Sequence, residues 1–173
     1  VPHVLQAVEA DFSRVDQARR ASAEQWKQRE GFSLTYLPFI ACAVAAALAK
    51  YPRLNASFAG DHLVLHRRVN LGVAVDLNFE GLMVPVLKDA AGMKLPQLAR
   101  AAHDLATRAR AGKLRPDDMT ECTYTISNNG AFGTLLTAAN VAIAAARLDV
   151  AERHAREAVA ITQRSLPPGD PLT

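Results

Sequence analysis

Asn70-Leu71-Gly72-Val73-Ala74-Val75-Asp76, then Asn78-Phe79-Glu80-Gly81, then Leu82-Met83-Val84-Pro85-Val86-Leu87 is the stretch on which the fold turns. Val69 to Asp76 is an apolar, valine-rich run of strand length. The tight turn at Asn78 to Gly81 sends the chain back into Leu82 to Leu87, a further strand. Pro85 has no N–H for a ladder, which argues for an edge position or a bulge there.

Moving upstream, His62 to His66 predicts another short strand. Before it, Pro38 suits a first helical turn and opens an Ala-rich run to Lys50, which Pro52 stops. Alanine on every side of that helix predicts close enclosure by neighbours. Its apolar core, Leu37 to Ala49, is too short to cross a bilayer. Leu34 to Tyr36 is a short bridge. Ser13 is expected to cap an earlier helix, with Asp16 three residues on completing a pair like a capping box, and Gly31 ends it. His3 to Phe12 alternates, with Val4, Gln6, Val8, Ala10 and Phe12 on one side, and predicts a strand with one buried face.

Moving downstream, Pro96 opens a helix carrying Leu98, Ala102, Leu105 and Ala109 near helical spacing, and Gly112 closes it. Thr123 to Ser127 alternates again. Cys122, Tyr124 and Ile126 form its apolar face, and Thr123, Thr125 and Ser127 a row of hydroxyls. Beyond Gly133 the character changes. From about Thr137 to Arg164 the chain is Ala-rich, helical and charged on one face, until Leu166-Pro167-Pro168-Gly169 breaks it. This order predicts an α+β domain: a mixed sheet, covered on one side by the helices starting near Ser13, Pro38 and Pro96, with a C-terminal helical tail.

Composition narrows the function classes. The 173 residues suffice for one domain, and 50% hydrophobic with 21% charged residues is an ordinary globular balance. A net charge of +3, with Arg19, Arg20, Arg67, Arg68, Arg108 and Arg110 scattered and no basic run among aromatics, gives no nucleic-acid footprint. Cys42 and Cys122 have no metal-ligand spacing, so no metal is expected, and two isolated thiols suggest a reducing, cytoplasmic setting. No leader or membrane span is visible, and the Val1-Pro2 opening suggests a longer protein.

Three segments carry a resemblance. They are Leu34-Thr35-Tyr36-Leu37-Pro38-Phe39 running on to Tyr51-Pro52-Arg53-Leu54-Asn55-Ala56-Ser57, the stretch from Asn70 to Asp89 quoted in part above, and Gly112-Lys113-Leu114 through Thr125-Ile126-Ser127-Asn128-Asn129-Gly130-Ala131-Phe132-Gly133. In this order they resemble the catalytic domain of the 2-oxoacid dehydrogenase acyltransferases, the dihydrolipoamide acyltransferases. The resemblance implies a fold like chloramphenicol acetyltransferase, assembled as homotrimers with active sites between subunits. It implies transfer of an acyl group from the dihydrolipoyl arm of a separate lipoyl domain to coenzyme A, within a 2-oxoacid dehydrogenase complex. Acetyl, succinyl and branched-chain enzymes share these motifs.

Acyl transfer to a thiol needs a base to generate the thiolate and a donor for the oxyanion of the tetrahedral intermediate. Ser127 matches the family's oxyanion donor. The family's base stands on a His-Arg-x-x-Asp-Gly motif further on, and this sequence departs from the pattern just after Leu136. Only His154 follows Ser127, with Ala158 in the place of the aspartate. His154 lies among Glu152, Arg153, Arg156 and Glu157 on an exposed helical face. His3 begins a strand and could line a trimeric site. His62 and His66 flank a short strand, His103 lies on the polar side of a helix, and spacing gives none a carboxylate orienter. Residues 1–138 therefore read as an acyltransferase domain, truncated before its catalytic histidine, and 139–173 as a helical tail that loosely resembles a tetratricopeptide helix pair. The alternative is a non-catalytic assembly or protein-interaction module derived from that domain.

Overall fold

A computed structural model describes residues 10–77 and 81–127. The expected N-terminal strand lies mostly outside these residues, and Ala10 to Phe12 have no strand structure. Phe12 instead packs edge-on against Tyr36, with ring centroids 6.1 Å apart.

Helix α1 (Ser13–Glu30) is capped differently from the sequence expectation. Ser13 is already helical, and the acceptor is Asp11, whose Oδ1 takes the Ser13 N–H at 2.8 Å and its hydroxyl at 2.5 Å. Asp16 is thereby free for Arg19 and Arg20, at 2.8 and 2.6 Å, and for the Tyr36 hydroxyl. Gly31 ends the helix as expected, at φ +80, its N–H on the Lys27 carbonyl.

Helix α2 (Leu37–Lys50) has Pro38 in its first turn. Ala41, Ala45 and Leu48 are buried along one stripe, while Ala43, Ala46 and Ala47 are exposed. The enclosure expected on all sides is thus one-sided. Alanine favours the helix whichever way it faces, so its abundance reports propensity rather than burial. A 3₁₀ turn at Pro52–Leu54 follows.

β1 (Ala56–Ala59), which sequence patterning missed, pairs antiparallel with β2 (His62–Leu65) across a turn with Gly60 at φ +74. β3 (Leu71–Val73) and β4 (Val75–Asp76) lie in the Val69–Asp76 run; β5 (Leu82–Met83) and β6 (Val86–Leu87) lie in the Leu82–Leu87 run. Of the expected turn, Asn78 to Glu80 lie outside the described residues. After helix α3 (Leu95–Arg110), ended by Gly112 at φ +64, comes β7 (Tyr124–Ile126).

The single sheet expected from these runs divides into β6–β3–β7 and β4–β5. The division is local. Gly72 faces Val86 and Val75 faces Met83 in the same antiparallel register, so no residue is inserted between. Pro85 accounts for the interruption: its carbonyl accepts the Val73 N–H at 2.9 Å, but it has no N–H to return. Of the two roles open to Pro85, edge position is the one found among the described residues. On its other side β3 runs parallel to β7, Gly72 opposite Thr125, which makes this sheet mixed.

α2 and α3 cover the sheet. Ala41, Ala45, Leu48, Leu98 and Leu105 pack with Val69, Leu71, Val73 and Leu87 in one buried cluster. α1, expected on the sheet as well, has Trp26 as its one buried residue. Trp26 packs with Leu34, Ala99, Phe32, Phe39 and Leu95, so α1 docks on the helices, not the strands. The helix is too polar to bury a full stripe. No helix among the described residues is long and apolar enough to cross a membrane. The described residues through Ile126 form one compact unit.

Candidate active site

The strand that leads to Ser127 is fixed from its entry end. Asn70, 2% exposed, is the fastener. Its Nδ2 donates to the Glu121 carbonyl at 2.9 Å, and its Oδ1 accepts the Asp89 N–H at 2.9 Å. Its backbone N–H donates to the Thr123 hydroxyl at 3.0 Å, and its carbonyl accepts the N–H groups of Thr123 and Tyr124. Glu121 and Asp89 are the two described non-glycine residues with positive φ, +62 and +55. Both left-handed conformations are thus held by one side chain; such residues cost roughly 1–2 kcal/mol each and persist only where neighbours over-determine them.

Gly72 lets β7 approach. A Cβ there would lie 2.7 Å from Cys122 Sγ, 2.9 Å from Val84 Cγ1 and 3.2 Å from Thr125 Oγ1. The loop ahead of β7 is tied to α3 by Asp118, which is buried. Asp118 pairs with the Arg108 guanidinium and accepts the Arg115 N–H at 2.7 Å, and these bonds hold its carboxyl far below the usual range. Lys88 Nζ reaches Asp117 at 2.7 Å and Glu121 at 3.8 Å; the Asp117 carboxylate raises the Lys88 pKa.

Ser127 is exposed and directly follows β7 in the chain. Of the hydroxyl row expected with it, Thr123 is spent on Asn70, and Thr125 lies beside Cys122 Sγ at 3.5 Å. The rest of the Asn128–Gly133 loop, His3 and His154 lie outside the described residues. Each described histidine has a partner. His103 stacks on Phe32 at 3.9 Å, and His66 Nε2 sits 2.7 Å from the Ser57 hydroxyl. His62 does have a carboxylate partner, which spacing did not suggest: Asp61 Oδ1 lies 2.7 Å from its Nδ1. The pair sits on an exposed hairpin turn with side chains 65% and 95% exposed, so water competes for both groups. Cys42 and Cys122 are free thiols, and burial pushes the Cys42 thiol up. A carbonyl oxygen turning negative beside Ser127 could take its hydroxyl hydrogen bond; the described residues bring no histidine into that role.

Comparison with known proteins decides the lineage. The family model for the 2-oxoacid dehydrogenases acyltransferase (catalytic domain) matches residues 1–160. The chain belongs to that family. The dihydrolipoyllysine-residue acetyltransferase component of the Corynebacterium glutamicum pyruvate dehydrogenase complex is 41% identical over 134 residues, 76% of this chain and 20% of that protein. A probable dihydrolipoamide acetyltransferase from Listeria monocytogenes superposes with a TM-score of 0.71 at 38% identity, over 74% of this chain and 54% of that one. The dihydrolipoamide acetyltransferase of Azotobacter vinelandii gives 0.67 at 36%, over 72% and 51%. In that enzyme a serine, a histidine and an asparagine were investigated for their role in the catalytic mechanism. The fold is accordingly the chloramphenicol acetyltransferase-like fold of these catalytic cores. The chain spans a fifth of the Corynebacterium relative and about half of the two solved chains.

The family match passes the expected 138/139 boundary and takes in much of the segment read as a separate tail, which lends the tetratricopeptide likeness no support. Within the acyltransferase family motifs, sequence reading quoted Asn70 and Gly72 without giving them a task. A polar amide flanked by Val69 and Leu71 was the available signal, since a buried amide needs several fixed partners.

Proposed function

We propose that this chain is the acyltransferase part of a 2-oxoacid dehydrogenase complex component, transferring an acyl group from dihydrolipoamide to coenzyme A. The observation that carries this reading is the family match over residues 1–160, which includes the Thr125-Ile126-Ser127 segment at the end of β7. In the reaction the coenzyme A thiolate attacks the thioester carbonyl carbon, and the Ser127 hydroxyl hydrogen-bonds to the resulting oxyanion. The intermediate collapses with loss of the dihydrolipoamide sulfur, which takes back a proton. The substrates are coenzyme A and a lipoyl group carried on a separate domain. The partners are that lipoyl domain, the other subunits of the complex and two further copies of this chain in a trimer. Two free thiols support a reducing, cytoplasmic location.

A second reading rests on one observation: no His-Arg-x-x-Asp-Gly string occurs in these 173 residues. Without the general base, transfer should fall by roughly 10²–10⁴-fold, leaving a non-catalytic assembly module built on residues 1–138, with 139–173 as its helical extension. The test is transfer from an acylated dihydrolipoamide to coenzyme A by the purified chain beside Ser127→Ala. The second reading expects little or no turnover with coenzyme A still bound. Turnover abolished by Ser127→Ala would show that another residue, His3 first, acts as base. Turnover untouched by Ser127→Ala would remove Ser127 from the site.

A further inference from the structure

Asn55, Asn70 and Asp118 are the buried polar or charged residues described. Two of them fix backbone that lines one cleft. Asn55, 1% exposed, donates its Nδ2 to the carbonyls of His66 at 3.1 Å and Arg68 at 2.8 Å, its backbone carbonyl accepts the His66 N–H, and its Oδ1 has no partner among the described residues. Asn70 bonds Glu121 and Thr123, which line the same cleft. Buried amides are costly unless bonded, and the Asn55 Nδ2 and both ends of the Asn70 amide are spent on setting the backbone around an open cleft of about 550 Å³.

The cleft presents charge left uncommitted among the described residues. Arg67 makes no hydrogen bond or ion pair among the described residues. Arg68 Nε stands 3.5 Å from Asp89 Oδ1, with its side chain 66% exposed, looser than the roughly 2.7–2.9 Å of a charge-assisted bond. His66 also faces the cleft, its Nε2 on Ser57. Glu121 is the one carboxylate lining the space among the described residues, and Lys88 stands 3.8 Å from it. Guanidinium groups match phosphate oxygens with paired donors.

We propose that this cleft binds a phosphate-bearing anion, clamped by Arg67 and Arg68 on a rim that Asn55 and Asn70 hold rigid. The inference stands apart from the acyl-transfer reading. The phosphates could be those of coenzyme A or of a free diphosphate compound. Calorimetric titration of the full chain with inorganic pyrophosphate, and separately with coenzyme A, tells these apart. The variants are Arg67→Ala, Arg68→Ala and, as a control on an exposed helical position, Arg110→Ala, with circular dichroism confirming the fold. Each cleft variant should weaken pyrophosphate by about tenfold, the loss of one charged hydrogen bond, and Arg110→Ala should change nothing. No pyrophosphate binding, or equal weakening by Arg110→Ala, overturns the proposal. If the cleft variants weaken coenzyme A too, its phosphate end is the occupant. If they weaken pyrophosphate alone, the source is a free diphosphate. If coenzyme A does not bind at all while pyrophosphate does so through Arg67 and Arg68, the acyl-transfer reading fails and the cleft stands.

Discussion

β3 and the β1–β2 hairpin are built from similar residues and end in opposite environments. All three residues of β3 are buried, Leu71 completely, with partners on both edges and helices over one face. In the hairpin, β2 is exposed at every position, and Phe58 and Leu63 stand 58% and 59% open. Its strands pair only with each other among the described residues. Alternation and β-branching make a strand locally; whether the strand becomes core depends on what comes to cover it.

The largest expected effect tests that contrast directly. Leu71→Ala empties a fully enclosed volume and should destabilise the fold by about 2–5 kcal/mol. Leu63→Ala in the hairpin should stay within about 0.5 kcal/mol. Urea unfolding of both variants measures the gap. Equal losses would mean that the hairpin is as well covered as β3 and would remove the distinction.

The next effect asks whether the hub is held by packing alone. Asn70→Ala leaves the Glu121 carbonyl and the Asp89 N–H without their buried partner, and should cost about 1–3 kcal/mol. Asn70→Asp keeps an acceptor for Asp89 but sets a buried carboxylate oxygen against the Glu121 carbonyl, so near neutral pH its urea midpoint should fall at or below that of Asn70→Ala. An Asn70→Ala protein as stable as the parent would show that neither left-handed residue needs the clamp. Gly72→Ala should cost a comparable 1–3 kcal/mol, roughly the penalty of overpacking, because a methyl group cannot fit between Cys122 and Val84 without movement.

Much of this arrangement is legible in the sequence. Pro38, Gly31 and Gly112 mark helix limits because their backbone preferences act within a residue or two. The β3–β4 and β5–β6 runs are readable because valine and turn residues act locally too. What is not legible is long-range. That Asp11 rather than Ser13 caps α1 depends on one residue of phase, and that α2 buries one face depends on what packs there. The bond from Asn70 to Glu121 joins residues 51 apart. β1 was missed because Ala56-Ser57-Phe58-Ala59 is short and weakly alternating, and it becomes a strand only beside β2. Of the candidate site, Ser127 comes from family likeness; no spacing along one strand distinguishes it from Thr125.

The smallest expected effect concerns charge, and it sets the hub side against the hairpin once more. Glu30 joins α1 to α3 through Arg100 at 2.8 and 3.1 Å. The Arg100 hydrogen bonds, then Arg29, bring its pKa from the ordinary 4.5 down to about 2. Asp118, tying the β7 loop to α3, is lowered as well, first by Arg108 and then by the Arg115 N–H. A carboxyl depressed in the folded state stabilises fully above its unfolded value, and that contribution is lost as pH falls through the folded one. Stability should therefore hold from pH 7 to about 4.5 on account of these groups and decline from there toward pH 2. Glu30→Gln should lower the urea midpoint slightly at pH 7 and flatten the decline. Asp61 on the hairpin is lowered by His62, but the pair is open to water, so Asp61→Asn should leave the profile nearly unchanged. Urea midpoints at half-unit steps from pH 7 to pH 2 decide it. A decline in the Glu30→Gln protein as steep as in the parent would show that the Glu30–Arg100 bridge contributes nothing to the acid response, and an Asp61→Asn profile flatter than that of Glu30→Gln would reverse the ranking of the two regions.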